Sequence, residues 1–213
     1  MINRIQLKIC GITRLVDAEA ADRIGADFLG FILYPKSPRF IPLATFEEMK
    51  HRLPQGRKVA VMVRPTIEKL TTIRDAGFDF FQLHFDPDAD RSLVESWGSI
   101  VTPGQLWPAP RLAPDQPFPE WLPPLADTFQ IDTFRKGGFG GSGKTGDWDR
   151  FRNLQSVHPE KKWVLAGGLG PSNMAEALAQ TGAKVVDVSS GVEVTPGIKD
   201  PKKLEALAAA IRA

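Results

Sequence analysis

Three short stretches of this chain repeat one pattern: Ile24-Gly25-Ala26-Asp27, Ala76-Gly77-Phe78-Asp79 and Thr181-Gly182-Ala183-Lys184. In each, an amphipathic run with helical spacing ends at a glycine and a β-rich run begins at once. Glycine suits the join because it accepts the left-handed backbone conformation that terminates a helix at little cost. Gly25 and Gly77 lie 52 residues apart, and Gly77 and Gly182 lie 105 apart. Those spacings are close to two and four periods of about 26 residues, the period that eight βα units give in a chain of this length. Repeat and length together predict an α/β protein, a (β/α)8 TIM barrel formed as a single domain over residues 1–213.

The rest of the pattern agrees. Strands are expected at Ile5–Ile9, Asp27–Leu33, Lys58–Val63, Asp79–Leu83, Thr128–Asp132, Trp163–Ala166 and Lys184–Val188, with a weaker one near Ile100–Leu106. Helices fit at Leu15–Ile24, Leu43–Arg52, Thr66–Ala76, Arg91–Trp97, Trp148–Ser156, Pro171–Thr181 and Pro201–Ile211. The fifth βα unit is irregular. From Thr102 to Pro124 the chain carries Pro103, Pro108, Pro110, Pro114, Pro117, Pro119, Pro123 and Pro124. Proline inside a helix forfeits a hydrogen bond and clashes with the preceding turn, so a short turn or an extended excursion is expected there.

Composition narrows the class. A hydrophobic content of 42% supports a sizeable core. A net charge of +2 is too weak to argue for nucleic acid and fits small anionic ligands better. Cys10 is the only cysteine, which excludes an internal disulfide and any multi-thiolate metal site. No secretory leader is legible in Met1-Ile2-Asn3-Arg4, and no run approaches the roughly 18 apolar residues of a membrane span, so a cytoplasmic protein is expected.

Chemistry-bearing residues gather where this fold places its active sites, at the carboxyl ends of strands. Cys10 closes the first strand, Arg39 follows the second, His84 ends a middle one and Asp132 ends the sixth. A buried structural thiol is the alternative for Cys10, a cap for Asp132 and a solvated surface cation for Arg39. His84 could touch a ligand or simply fill the barrel top. Three glycine-rich loops follow later strands. Gly137-Gly138-Phe139-Gly140-Gly141-Ser142-Gly143-Lys144-Thr145 formally matches a P-loop, but four residues separate it from its strand and Gly146 breaks a helix starting at Lys144. It reads better as a lid whose backbone, around Gly141, and Lys144 face an anion. Ala166-Gly167-Gly168-Leu169 leads into a helix expected to start at Pro171, and Ser189-Ser190-Gly191 follows the last strand. Loops in these two places commonly hold phosphate in such barrels.

Taken in order, Lys8-Ile9-Cys10-Gly11-Ile12-Thr13, Ser37-Pro38-Arg39, Gln82-Leu83-His84, Gly141-Ser142-Gly143-Lys144-Thr145 with Asp147-Trp148, Ala166-Gly167-Gly168-Leu169 and Val186-Asp187-Val188-Ser189-Ser190-Gly191-Val192-Glu193 resemble the phosphoribosylanthranilate isomerase family from Lys8 to the last helix. The resemblance implies an acid–base Amadori rearrangement in tryptophan biosynthesis, from N-(5-phosphoribosyl)anthranilate to 1-(2-carboxyphenylamino)-1-deoxyribulose 5-phosphate. It implies Cys10 as general base, Asp132 as general acid across the barrel mouth, and Arg39 as holder of the anthranilate carboxylate. His84, Gly141, Lys144, Gly167, Gly168, Ser190 and Gly191 are the further candidates for substrate binding. No cofactor and no metal are implied. The expected partner is the small phosphosugar-anthranilate substrate, with no nucleic acid and no membrane, on a monomer or homodimer. Chemically, Asp132 must keep its proton near neutrality and Cys10 must lose one, which calls for a lowered thiol pKa.

The sequence departs from the family pattern at Phe85, expected to narrow or fill the mouth, at Arg64, and in the proline-rich fifth unit. Asp86, Asp88 and Asp90 are expected to be solvated. The histidine-pathway isomerase, a rival, resembles a two-aspartate design, and Cys10 stands where its first aspartate would be. A metal-dependent epimerase would need more strand-end histidines than His84. A nucleotide-binding module around Gly138–Thr145 and a phosphosugar-binding barrel without turnover are the non-enzymatic alternatives.

Overall fold

The computed structural model describes residues 1–88, 90–132 and 147–213. Its strands are β1 (Gln6–Cys10), β2 (Phe28–Ile32), β3 (Arg57–Val63), β4 (Phe80–Phe85), β5 (Leu106–Pro110), β6 (Thr128–Ile131), β7 (Lys162–Leu165), β8 (Val185–Val188), β9 (Glu193–Thr195) and β10 (Ile198–Lys199). The helices are α1 (Leu15–Arg23), α2 (Leu43–Met49), α3 (Ile67–Asp75), α4 (Arg91–Trp97), α5 (Trp148–Val157), α6 (Met174–Thr181) and α7 (Pro201–Arg212). The first eight strands form one parallel sheet in the order β5-β4-β3-β2-β1-β8-β7-β6, which curls into a nearly closed barrel. The glycine joins behave as the repeat predicts: Gly25, Gly77 and Gly182 all have positive φ.

Side chains alternate between two cores. On β1, Leu7 and Ile9 face the helices and join the larger apolar cluster. Cys10, from the opposite face, joins Phe28, Val59, Val61, Trp107, Val164 and Val185 inside the barrel. Near the start of the strands Phe28 meets Trp107 and Phe80 with ring centroids 4.9 and 5.7 Å away, and the Arg57 guanidinium lies 4.2 Å from its ring centre. The amino-terminal end of the barrel is thereby plugged by aromatic rings, leaving the polar interior to the other end.

The fifth unit departs from the expected strand position. Its strand is Leu106–Pro110, beyond the anticipated 100–106, and a single 3-10 turn at Pro123–Leu125 stands in for the helix. The carbonyl of Gln105 and the amide of Arg111 bond β4 neighbours. By alternation Pro108 and Pro110 then face β6, where they have no N–H to give. No reciprocal β5–β6 ladder forms among the described residues, and the ring is completed there without one. The antiparallel β9–β10 hairpin, inserted between β8 and α7, has no counterpart in the sequence expectations.

Candidate active site

A cavity of about 570 Å³ opens at the carboxyl ends of the strands. Cys10, Arg39, Gln82, His84, Gln130, Asp132, Gly167, Gly168, Asp187, Ser189 and Ser190 all line it. Of the sequence candidates, Cys10, Arg39, His84, Asp132, Gly167, Gly168 and Ser190 therefore share one chamber. Cys10 and Asp132 stand three strands apart round the ring, with β8 and β7 between them. Gly141 and Lys144, with the whole lid segment, lie outside the described residues.

Gly191 is not in the lining. A Cβ on it would fall 2.1 Å from the Leu169 carbonyl oxygen and 2.9 Å from the Gly170 Cα. Its role is to let the loop after β8 pack against the loop after β7. That second loop is shaped by Asn173, whose Oδ1 accepts from the Gly170 amide at 2.9 Å and whose Nδ2 donates to the Gly168 carbonyl at 3.0 Å. The helix it leads into begins at Met174, not at the expected Pro171, because Asn173 folds the chain back on itself before the first helical turn.

Arg39 is held by its neighbours before any ligand arrives. The Ser37 hydroxyl accepts from its amide, and its Cδ would touch any Cβ on Gly11 at 2.8 Å. Its Nε and Nη2 donate to the Glu193 carboxylate at 2.7–3.1 Å. One edge of the guanidinium fork is thus occupied by Glu193, and its Nη1 end is what Arg39 can offer to a ligand. Glu193 and Lys199, on β9 and β10, are nearly fully buried and 2.9 Å apart. Lys199 Nζ also donates to the carbonyls of Cys10 and Ser189. Burial opposes the charge on Glu193, but the Arg39 and Lys199 contacts outweigh it and hold the carboxyl below its usual range. Burial draws Lys199 below the usual ammonium range against the pull of Glu193.

Beneath Cys10 lies a second buried pair. Lys8, fully enclosed, donates from Nζ to Asp187 Oδ2 at 2.9 Å. The two residues face each other in the β1–β8 register. Sequence reasoning gave no role to Lys8, Asp187, Gln82, Gln130, Glu193 or Lys199, although Lys8 and Asp187 each interrupt an apolar strand, which is a legible sign of an inward polar position.

One electrostatic expectation is corrected. The Cys10 thiol is raised, not lowered: burial pushes it up, and the attraction of Lys8 only partly offsets this, with Asp187 acting against it and Lys199 for it. His84, buried and 2.8 Å from Gln82 through its Nε2, is pushed down to about 4 by burial and by Lys8, so it is neutral at neutral pH. Two further expectations also change. Phe85 points outward into the helix layer, against Trp97 and Trp121, because alternation on β4 gives the interior to Gln82 and His84. Asp90 is buried, not solvated, and pairs with Arg64 at 2.7 Å. Arg64, at φ +47°, is outside the cavity lining.

A βα barrel with a thiol, a carboxyl, an arginine and two glycine loops converging at its strand ends defines a class: enzymes that move protons on a small anionic molecule. The chain belongs to the phosphoribosylanthranilate isomerase family, whose model, described as N-(5'phosphoribosyl)anthranilate (PRA) isomerase, matches residues 7–210. It is 37% identical to the N-(5'-phosphoribosyl)anthranilate isomerase of Syntrophus aciditrophicus over 97% of this chain and 87% of that one. Among solved structures it resembles the phosphoribosyl anthranilate isomerase of Thermus thermophilus, with TM-score 0.80, 30% identity and coverage of 97% and 98% of the two chains. It also resembles a phosphoribosyl anthranilate isomerase in complex with reduced 1-(o-carboxyphenylamino)-1-deoxyribulose 5-phosphate, with TM-score 0.78, 28% identity and the same coverage. Among the described residues no helix is long and apolar enough to cross a membrane, and no His, Cys, Asp or Glu cluster could hold a metal.

Proposed function

We infer that Cys10 and Asp132 are the base and acid with which this isomerase converts N-(5-phosphoribosyl)anthranilate to 1-(2-carboxyphenylamino)-1-deoxyribulose 5-phosphate in tryptophan biosynthesis. The observation that supports the pair is their presence at the ends of different strands in one cavity large enough for the substrate. Asp132 gives its proton to the ribose ring oxygen, and the C1–O bond breaks to leave an iminium at C1. Cys10, as thiolate, takes the proton from C2, and that electron pair forms the C1–C2 double bond of an enolamine. Loss of the C2 hydroxyl proton and return of a proton to C1 give the ketone, with no net change in atoms or electrons.

The Nη1 end of Arg39 meets the anthranilate carboxylate. The backbone of Gly167–Gly168 and of Ser190 receives the phosphate, with Gly191 keeping the two loops together and His84 acting as a neutral polar wall. The same reading puts a single barrel domain in the cytoplasm, as a monomer or homodimer acting on this small molecule.

The test is a steady-state assay following the loss of substrate fluorescence. Cys10→Ala and Asp132→Asn should each lower kcat by about a hundredfold or more while leaving product binding intact. Near-normal turnover in either variant would remove that residue from its role.

A further inference from the structure

A buried thiol is a poor source of thiolate, so the site must contain something that favours the charged form. The nearest provision is on the same strand. Lys8 and Cys10 are two residues apart on β1 and point to the same face. Opposite Cys10 in the β1–β2 register sits Gly30. A Cβ there would lie 2.9 Å from Cys10 Sγ and 3.1 Å from Lys8 Cε, so the thiol and the lysine chain lean over the same spot. Lys8 is fully buried, yet its ammonium is kept charged. Burial works against it, and the Asp187 carboxylate, 2.9 Å away, and Cys10 more than compensate. An ammonium has three donors, and Asp187 takes one.

We propose that Lys8, clamped by Asp187, is the fixed cation that stabilises the Cys10 thiolate, and that it is a positioning residue acting through Cys10. This rests on the reading of Cys10 as base. None of the other charged or titratable groups around the thiol favours the thiolate as strongly as Lys8 does. Lys199 on β10 also favours the thiolate, but less than Lys8 does; its ammonium donates to Glu193, a carboxylate it shares with Arg39, and to two backbone carbonyls. Arg39, after β2, is paired with Glu193. His84 on β4 is neutral, and Asp187 on β8 and Asp132 after β6 are acidic. During proton abstraction the thiolate becomes a thiol, and Lys8 stays protonated throughout.

The experiment is the pH dependence of iodoacetamide alkylation of the whole protein, which reports Cys10 alone because it is the only cysteine. In Lys8→Met, alkylation near pH 8 should slow by about tenfold or more, the equivalent of one pKa unit, and the acid limb of kcat/KM should move by the same amount. Lys8→Arg should keep most of the wild-type profile. Lys8→Gln, which retains a donor for Asp187, serves if Lys8→Met fails to fold and should shift in the same direction. A folded Lys8→Met or Lys8→Gln whose alkylation profile matches the wild type, or a Lys8→Arg that shifts as far as they do, overturns the proposal. Turnover in Cys10→Ala would instead overturn the base assignment and leave the alkylation result standing on its own.

Discussion

At the scale of single residues, the site works by placing charge where burial resists it. His84 shows the cost. Its folded-state value of about 4 lies below the ordinary 6.5, so between those two pH values the unfolded chain binds a proton that the folded protein refuses. Its contribution to stability is therefore complete above pH 6.5 and is lost as pH falls towards 4. At pH 5 the loss from this one group is about 2 kcal/mol. Urea unfolding of the wild type and of His84→Gln at pH 7 and pH 5 checks it: the wild type should lose more stability across the interval. Equal losses would mean that His84 is not held neutral. Cys10, Arg39 and Asp132 were legible in the sequence because their residue types carry chemistry and they close strand-like runs. Glu193 and Lys199 were not assigned, because a carboxylate and an ammonium five and eleven residues past the end of β8 look like any solvated pair. Only the fold of the hairpin buries them against Arg39 and Cys10. The direction of the Cys10 shift escapes the sequence for a related reason: sequence shows the neighbouring Lys8 but not the depth of burial that outweighs it.

At the scale of elements, the loops after β7 and β8 hold the proposed phosphate site, and their glycines do different work. Gly168 lines the cavity at φ +65°, whereas Gly191 is a contact between loops. Gly168→Val should raise KM strongly while the protein still folds, since it crowds the cavity wall. Gly191→Val should lower stability as well as affinity, because the Leu169 carbonyl occupies the space that a side chain would need. Thermal melts beside steady-state kinetics separate the two, and a Gly191→Val protein with wild-type melting would contradict the packing role. Most element positions followed from periodicity: α4 matches at both ends, the starts of α1, α2, α5, α7 and β6 and the ends of β3, β8 and α6 fall on the expected residues, and outside the fifth unit no end differs by more than three residues. The displaced fifth strand and the β9–β10 hairpin escaped for opposite reasons. The proline-rich run carries no strand-like period at Leu106–Pro110, yet its prolines are tolerated because Pro108 and Pro110 face the β6 edge, where β5 has no reciprocal ladder. The hairpin strands are too short to show any period.

At the scale of the whole molecule, the barrel divides its labour between its ends. Rings of Phe28, Phe80 and Trp107 close the amino-terminal end, and the polar cavity occupies the carboxyl end. Phe28→Ala should cost about 3–5 kcal/mol in denaturant unfolding, the usual loss for a buried aromatic ring, while kcat/KM of the folded protein changes little. A large fall in kcat/KM without a matching loss of stability would show that the two ends are not independent.

Seven junctions of the ring are fixed by reciprocal backbone bonds, whose geometry is indifferent to which side chains the strands carry. At the eighth, between β5 and β6, no ladder forms among the described residues: the Asp127 amide donates to the Pro103 carbonyl at the strands' start, and Arg150 of α5 reaches to the carbonyls of Ala113 and Gln116 in the connection between these two strands. Arg111 and Asp132 stand on either side of that junction and both line the cavity. Ordinary substitution can therefore retune the span of the mouth at the proposed acid, in a barrel whose remaining circumference is set by the main chain.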